Sequence, residues 1–169
     1  MISITLYYEQ LEHTIVQVLH RAGANVNDRD LRYLVQMDEN TSDRQLIRRL
    51  IRTGLAKVKT FLRDHLADKT ATGNDLLRED EMSWTFGLDL DGDGQALADL
   101  LHWFIVWRAI AGIAPAFGLA ALAEQGKEEA LEAEDLIREE LVALSMPIKV
   151  RREVIDYTNF EPKITLDDD

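Results

Sequence analysis

Between Gln95 and Ile113 the chain places Leu97, Leu100, Leu101, Trp103, Phe104, Ile105, Val106, Trp107 and Ile110 so densely that, wound as a helix, they cover nearly its whole circumference. A helix that is apolar on every side has to be enclosed. The rest of the fold is therefore to be sought as cover for this segment. A chain of 169 residues suffices for that, since at this size about two-thirds of the surface exposed by the unfolded form becomes buried. The apolar stretch over residues 100–123 is long enough to suggest a membrane span, but His102, Arg108, Pro115 and Gly118 interrupt it, and an Arg in mid-bilayer is costly. The expectation is no membrane, with this helix either core or subunit contact.

Helical covers can be found on both sides. Within residues 4–19, Leu11, Ile15, Val18 and Leu19 recur at helical spacing, with Gly23 as a C-cap. Asn27 or Asp28 caps a short second helix with Leu31, Leu34 and Val35 on one side. Ser42 and Gln45 form a capping box, and Leu46, Leu50, Leu55, Val58, Phe61, Leu62 and Leu66 carry a long helix over residues 43–66. Residues 67–93 are rich in Asp, Thr and Gly, with a short strand expected around Ser83-Trp84-Thr85-Phe86. After Pro115 and Gly118, residues 119–124 and 127–144 are expected as two helical pieces, the second with Leu131, Ile137, Leu141 and Leu144 facing inward. The expected fold is mainly α: a compact helical cluster over residues 1–147 with two long central helices, 43–66 and 95–113, and an extended C-terminal arm over residues 148–169.

Charge is unevenly distributed. Residues 1–70 hold 11 Lys and Arg against 9 Asp and Glu, whereas residues 71–169 hold 8 against 22, giving a net charge of -12. The rear half should repel nucleic acid and attract basic partners, so any contact with DNA has to come from the front. With no cysteine, disulfides, thiolate metal sites and cysteine nucleophiles are excluded. Met1-Ile2-Ser3-Ile4-Thr5-Leu6 lacks the features of a secretory signal, which places the expected location inside a cell.

Asp89-Leu90-Asp91-Gly92-Asp93-Gly94 opens like a calcium loop, since carboxylates at alternate positions before a Gly can converge on a hard cation. The closing bidentate Glu is missing: Leu100 stands in its place and Asp99 is one position early. An acidic turn capping the next helix is the expectation, with Asp89, Asp91 and Asp93 as the weak metal candidates. Arg44, Arg48, Arg52, Lys59 and Arg63, with Arg49 beside them, align along one face of the 43–66 helix and can approach phosphates or an acidic protein surface. A charged outer face is also what any amphipathic helix displays. Asp99 and His102 sit three apart on one helix face without a nucleophile near them, and Arg108 among Trp107 and Ile110 calls for an acidic partner. There is no Gly-rich phosphate loop, nucleophile elbow or His-Glu-x-x-His pair, so neither an enzyme nor a cofactor is expected.

Asp30-Leu31-Arg32-Tyr33-Leu34, then Asp38-Glu39-Asn40-Thr41-Ser42-Asp43, then a long helix with Leu46-Ile47 and Phe61-Leu62, resemble the opening of head–tail connector (adaptor) proteins of tailed phages. Leu100-Leu101 through Val106-Trp107-Arg108 is similar to that family's second long helix. The resemblance spans roughly residues 26–113. It implies a structural role: a homo-oligomeric ring between portal or capsid and tail, located in the virion after assembly in the host cytoplasm. Portal and tail proteins would be partners, and passing DNA a non-specific one. The basic stripe would face a neighbouring acidic subunit or the DNA channel. The arm, with Val150, Arg151, Arg152, Tyr157 and Phe160, would lie along an adjacent protein. Two alternatives stay open: a protein-interaction or regulatory module that binds a partner through its acidic helix and arm, and a metal-dependent enzyme using Asp89, Asp91, Asp93, Asp99 and His102.

Overall fold

The structure, a computed structural model, describes residues 1–23, 42–68 and 82–146. Among these it is mainly α, with helices α1 (Tyr8–Gly23), α2 (Ser42–Leu62), α3 (Gln95–Ile113) and α4 (Ala120–Ser145), and strands β1 (Ile2–Tyr7) and β2 (Ser83–Leu88). The short helix expected after Asn27, the polar run 38–41, the Ser42 side chain of the capping box, and the whole arm with its boundary at 147 lie outside the described residues.

The enclosing of α3 follows the expectation. α4, α2, α1 and β1 all pack on it, α4 most extensively. Leu97, Leu101, Phe104, Ile105, Val106, Ala109, Ile110 and Ile113 are buried, spread over about two-thirds of the helix circumference. By length and composition alone α3 could cross a membrane, yet here it is the axis on which the other elements converge. Its cover is incomplete: Trp103 remains 43% exposed, stacked on the half-buried Trp107 at 6.1 Å between ring centroids. Phe61 of α2 meets Phe104 edge-on at 5.2 Å, one of the contacts that seat α2 on α3.

Two elements differ from the sequence reading at the front of the chain. Residues 2–7 form a strand, where helical character was expected from residue 4. Ile2, Ile4 and Leu6 are buried and Ser3 and Tyr7 exposed, the period of two that a half-buried strand requires. β1 pairs antiparallel with β2 in the register Ile2 with Leu88 through Tyr7 with Ser83, so the expected strand at Ser83 is present and its partner lies at the other end of the sequence. Trp84, Phe86 and Leu88 bury on the same face as the β1 set, and Thr5 and Thr85 share a hydrogen bond of 2.9 Å on the outer face. The helix expected to reach Leu66 stops at Leu62. Residues 63–65 tighten into a 3-10 turn, and Leu66 turns extended to bridge to Leu88.

The hinge between α3 and α4 is a short 3-10 turn, Ala114–Phe117, closed by Gly118 in the left-handed conformation (φ 72°). There the Gly118 N–H donates to the Pro115 carbonyl and the Leu119 N–H to that of Ala114. The two helical pieces expected after it are one continuous helix. Gly126 marks no break: it is where α4 crosses α3, and a Cβ there would lie 3.0 Å from the Trp107 carbonyl oxygen and the Ala111 nitrogen. The seam of α4 is Ala123, Gly126, Ala130, Ala133, Ile137, Leu141 and Leu144, spaced by three or four residues as on one helix face. Leu131, expected to face inward, is 64% exposed, because the small residues beside it already fill the narrow gap to α3.

Candidate interaction surfaces

The basic stripe on α2 divides into members that hold the fold and members that line a surface. Arg44 donates from Nε (2.7 Å) and Nη2 (3.3 Å) to the two carboxylate oxygens of Glu12 on α1, in a partly buried pair that ties the two helices together. Arg48 lies over the Tyr8 ring, 5.1 Å from its centroid. Burial, then the Glu12 carboxylate, pushes the Tyr8 phenol above its ordinary pKa, against the opposing effect of the Arg48 and Arg44 guanidiniums. Arg48, Arg49 and Arg52 with Gln45 line a cleft of 360 Å³. Lys59 is half-buried further along α2, and Arg63 is exposed on the 3-10 turn beyond the helix end. The members of the stripe therefore differ in role; its cationic cleft is at Arg48, Arg49 and Arg52.

On α4 the charge reverses. α4 carries eight carboxylates against Lys127 and Arg138, both of which it engages itself, Lys127 with Glu124 and Arg138 with Glu134, each at 2.6 Å. Such exposed pairs contribute little stability, and the net field of the helix stays negative. Leu131 and Val142 stand on its outer surface, exposed by 64% and 55%. A groove of 510 Å³ runs between α2, α3 and α4, apolar at Leu50, Phe104, Ala130 and Leu131, with Arg108, Lys127 and Glu134 around it. Arg108, expected to be buried or interfacial with an acidic partner, is exposed, and no ion pair to it is found among the described residues.

The acidic turn before α3 behaves as a cap. The Asp93 Oδ1 accepts the Gln95 N–H at 3.0 Å. Asp91 faces the N-terminal ammonium at 3.5 Å, and Asp89, Asp91 and Asp93 are all exposed. No group of three or more potential metal-binding side chains gathers there or elsewhere among the described residues. The Asp99 carboxylate accepts from the Gln95 Nε2 at 2.9 Å, while His102 Nε2 is 3.2 Å from the Thr14 hydroxyl of α1. Burial lowers the His102 pKa, partly countered by Asp99. The two groups bond different partners, Asp99 within α3 and His102 across to α1. Thr14 had no signal in the sequence; it meets His102 only because α1 crosses α3 there. Compared with known protein families, characterised proteins and solved structures, the chain matches none.

Proposed function

We propose that the chain is a structural adaptor of a phage or phage-like particle, one copy of a ring between portal or capsid and tail. The observation that carries this reading is the separation of charge between two helices: a cationic cleft on α2 and an acidic outer face on α4, each packed on the same central helix. One surface of each sign on a subunit favours contact between unlike surfaces of successive copies. Such heterologous contacts close into a ring when the rotation between copies permits. The particle itself, the portal and tail partners and the non-specific contact with passing DNA come from the resemblance of residues 26–113. A second reading is a partner-binding module, which the open apolar groove beside α4 favours.

Absolute mass by light scattering over a concentration series, in low and moderate salt, separates the two. A discrete ring-sized species that loosens with salt is expected for the adaptor. A monomer throughout both series assigns the chain to the second reading, and capture of a partner protein on the acidic helix then becomes the measurement that defines it.

A further inference from the structure

The two-stranded sheet has one edge closed and one open. Leu66 bridges to Leu88, with the Ala67 N–H donating to the Gly87 carbonyl and the Asp89 N–H to the His65 carbonyl, which occupies the outer side of β2. On β1, the Tyr8 N–H donates to the Met82 carbonyl in the same register as the strand pairs. In an antiparallel ladder, exchanging and non-exchanging pairs alternate. Ile2, Ile4, Leu6 and Tyr8 therefore direct their backbone groups at β2, whereas Ser3, Thr5 and Tyr7 direct theirs outward. These outward groups have no backbone partner among the described residues. The strand Ile-Ser-Ile-Thr-Leu-Tyr also lacks the Lys, Pro or bulge with which exposed edges are usually protected.

A groove of 300 Å³ adjoins β1, bounded by residues 3–6 and by the first turns of α3. α3 packs on β1 more than on β2, and a Cβ on Gly94 would collide with the Ile2 side chain, so the start of α3 comes in under the β1 side of the sheet. There Asp93 and Asp99 contribute two exposed carboxylates, and no Lys or Arg lines the groove. His102 adds no charge at pH 7, since burial lowers its pKa. The N-terminal ammonium is already opposite Asp91.

We infer that β1 is a docking edge for an extended basic segment of another protein, which adds as a further antiparallel strand with Lys or Arg at alternate positions. Main-chain hydrogen bonds to Ser3, Thr5 and Tyr7 supply the affinity, and the alternating side chains supply the register. Side chains of an added strand point in turn to the outer face, beside Thr5 and Tyr7, and to the inner face, where α3 presents Asp93 and Asp99. The outer positions suit β-branched residues; the inner ones suit cations whose stems lie along the groove. An acidic segment would set like charges against Asp93 and Asp99, and an apolar one would desolvate them without a partner. This contact involves neither the α2 cleft nor the outer face of α4, so it holds for either reading of the function above.

The edge is tested in the full chain with a synthetic peptide, Thr-Lys-Val-Lys-Val-Lys-Thr, and amide hydrogen exchange resolved residue by residue. Saturating peptide is expected to slow exchange at Ser3, Thr5 and Tyr7 by about tenfold or more, while Ile4 and Leu6, already bonded to β2, change little. N-methylation of the peptide valines, whose amides face β1 in this pairing, should abolish the effect, as should Glu in place of the peptide lysines. Asp99→Asn, with circular dichroism confirming the fold, should weaken binding severalfold. Equal protection by the N-methylated or the Glu peptide overturns the inference, and so does a peptide that leaves the three amides unprotected. Slow exchange at those amides without peptide also overturns it. If independent of protein concentration, it assigns the edge to a segment of the same chain; if it grows with concentration, to a second copy.

Discussion

At Gly126 an added methyl group would press on the backbone of α3, at 3.0 Å from both the Trp107 oxygen and the Ala111 nitrogen, and neither can yield. At Gly112 the nearest atom is a terminal methyl of Leu50 at 2.7 Å, which can rotate away. Alanine is favoured over glycine inside helices by about 1 kcal/mol, so the two substitutions should separate. We expect Gly126→Ala to lower stability in urea titration by about 1–3 kcal/mol through overpacking, and Gly112→Ala to stay within about 1 kcal/mol of the parent. His102 supplies a second residue-scale expectation. Its folded-state pKa is lowered by burial, so below the ordinary value of 6.5 the unfolded chain binds the proton more readily. The stability it contributes is complete above that value and is lost as pH falls through the window beneath it. Melting temperatures should fall from about pH 7.5 to about pH 5.5, the range in which His titrates, and His102→Gln should flatten the fall. A His102→Gln variant with an unchanged pH slope would remove this residue from the account. Sequence spacing made Asp99 and His102 visible as neighbours, but the Thr14 partner depends on a crossing of two helices that no local pattern encodes.

Among elements, α3 is where local sequence and fold agree most fully. Its bounds were legible because polar and turn residues flank a densely apolar run, and its burial was legible because that run leaves few polar positions to face water. Phe104→Ala should cost about 3–5 kcal/mol, since the ring is enclosed, whereas Trp103→Ala should cost about 1 kcal/mol or less. Equal losses in chemical denaturation would mean that Trp103 is covered in solution by a further copy. β1 was not legible as a strand, although its alternation is plain once seen, because six residues leading directly into a helix carry no hint of a partner strand so far along the chain. The continuity of α4 was hidden for a different reason: Gly126 is a helix breaker by propensity, and only the close approach to α3 gives it a use. The inward residues of α4 were likewise misassigned at Leu131, because a seam of Ala and Gly has no hydrophobic contrast with which to announce itself.

For the molecule as a whole, fold class followed from hydrophobic patterning, while the surfaces followed from how helices of unlike charge are placed around α3. The basic stripe was visible as a spacing of residues; that Arg44 belongs to the fold and Arg48, Arg49 and Arg52 to a cleft was not, because it depends on Glu12 and Tyr8 of α1. If the cleft mates with an acidic neighbour, Arg49→Glu should reduce the ring-sized fraction severalfold in low salt, with little change in melting temperature. An unchanged mass distribution would take the cleft out of the assembly. The pairing of β1 with β2 has a consequence for how the chain is made. Thr5 and Thr85 are 80 positions apart, which at 5–20 residues per second is about 4–16 s of translation. For that interval β1 waits at the ribosome with both edges open, while α3 and α4, joined by a short turn, can pair as soon as they emerge. On a polysome, where several nascent copies stand side by side, this delay makes β1 the part of the chain most exposed to pairing with the wrong molecule before its own partner exists.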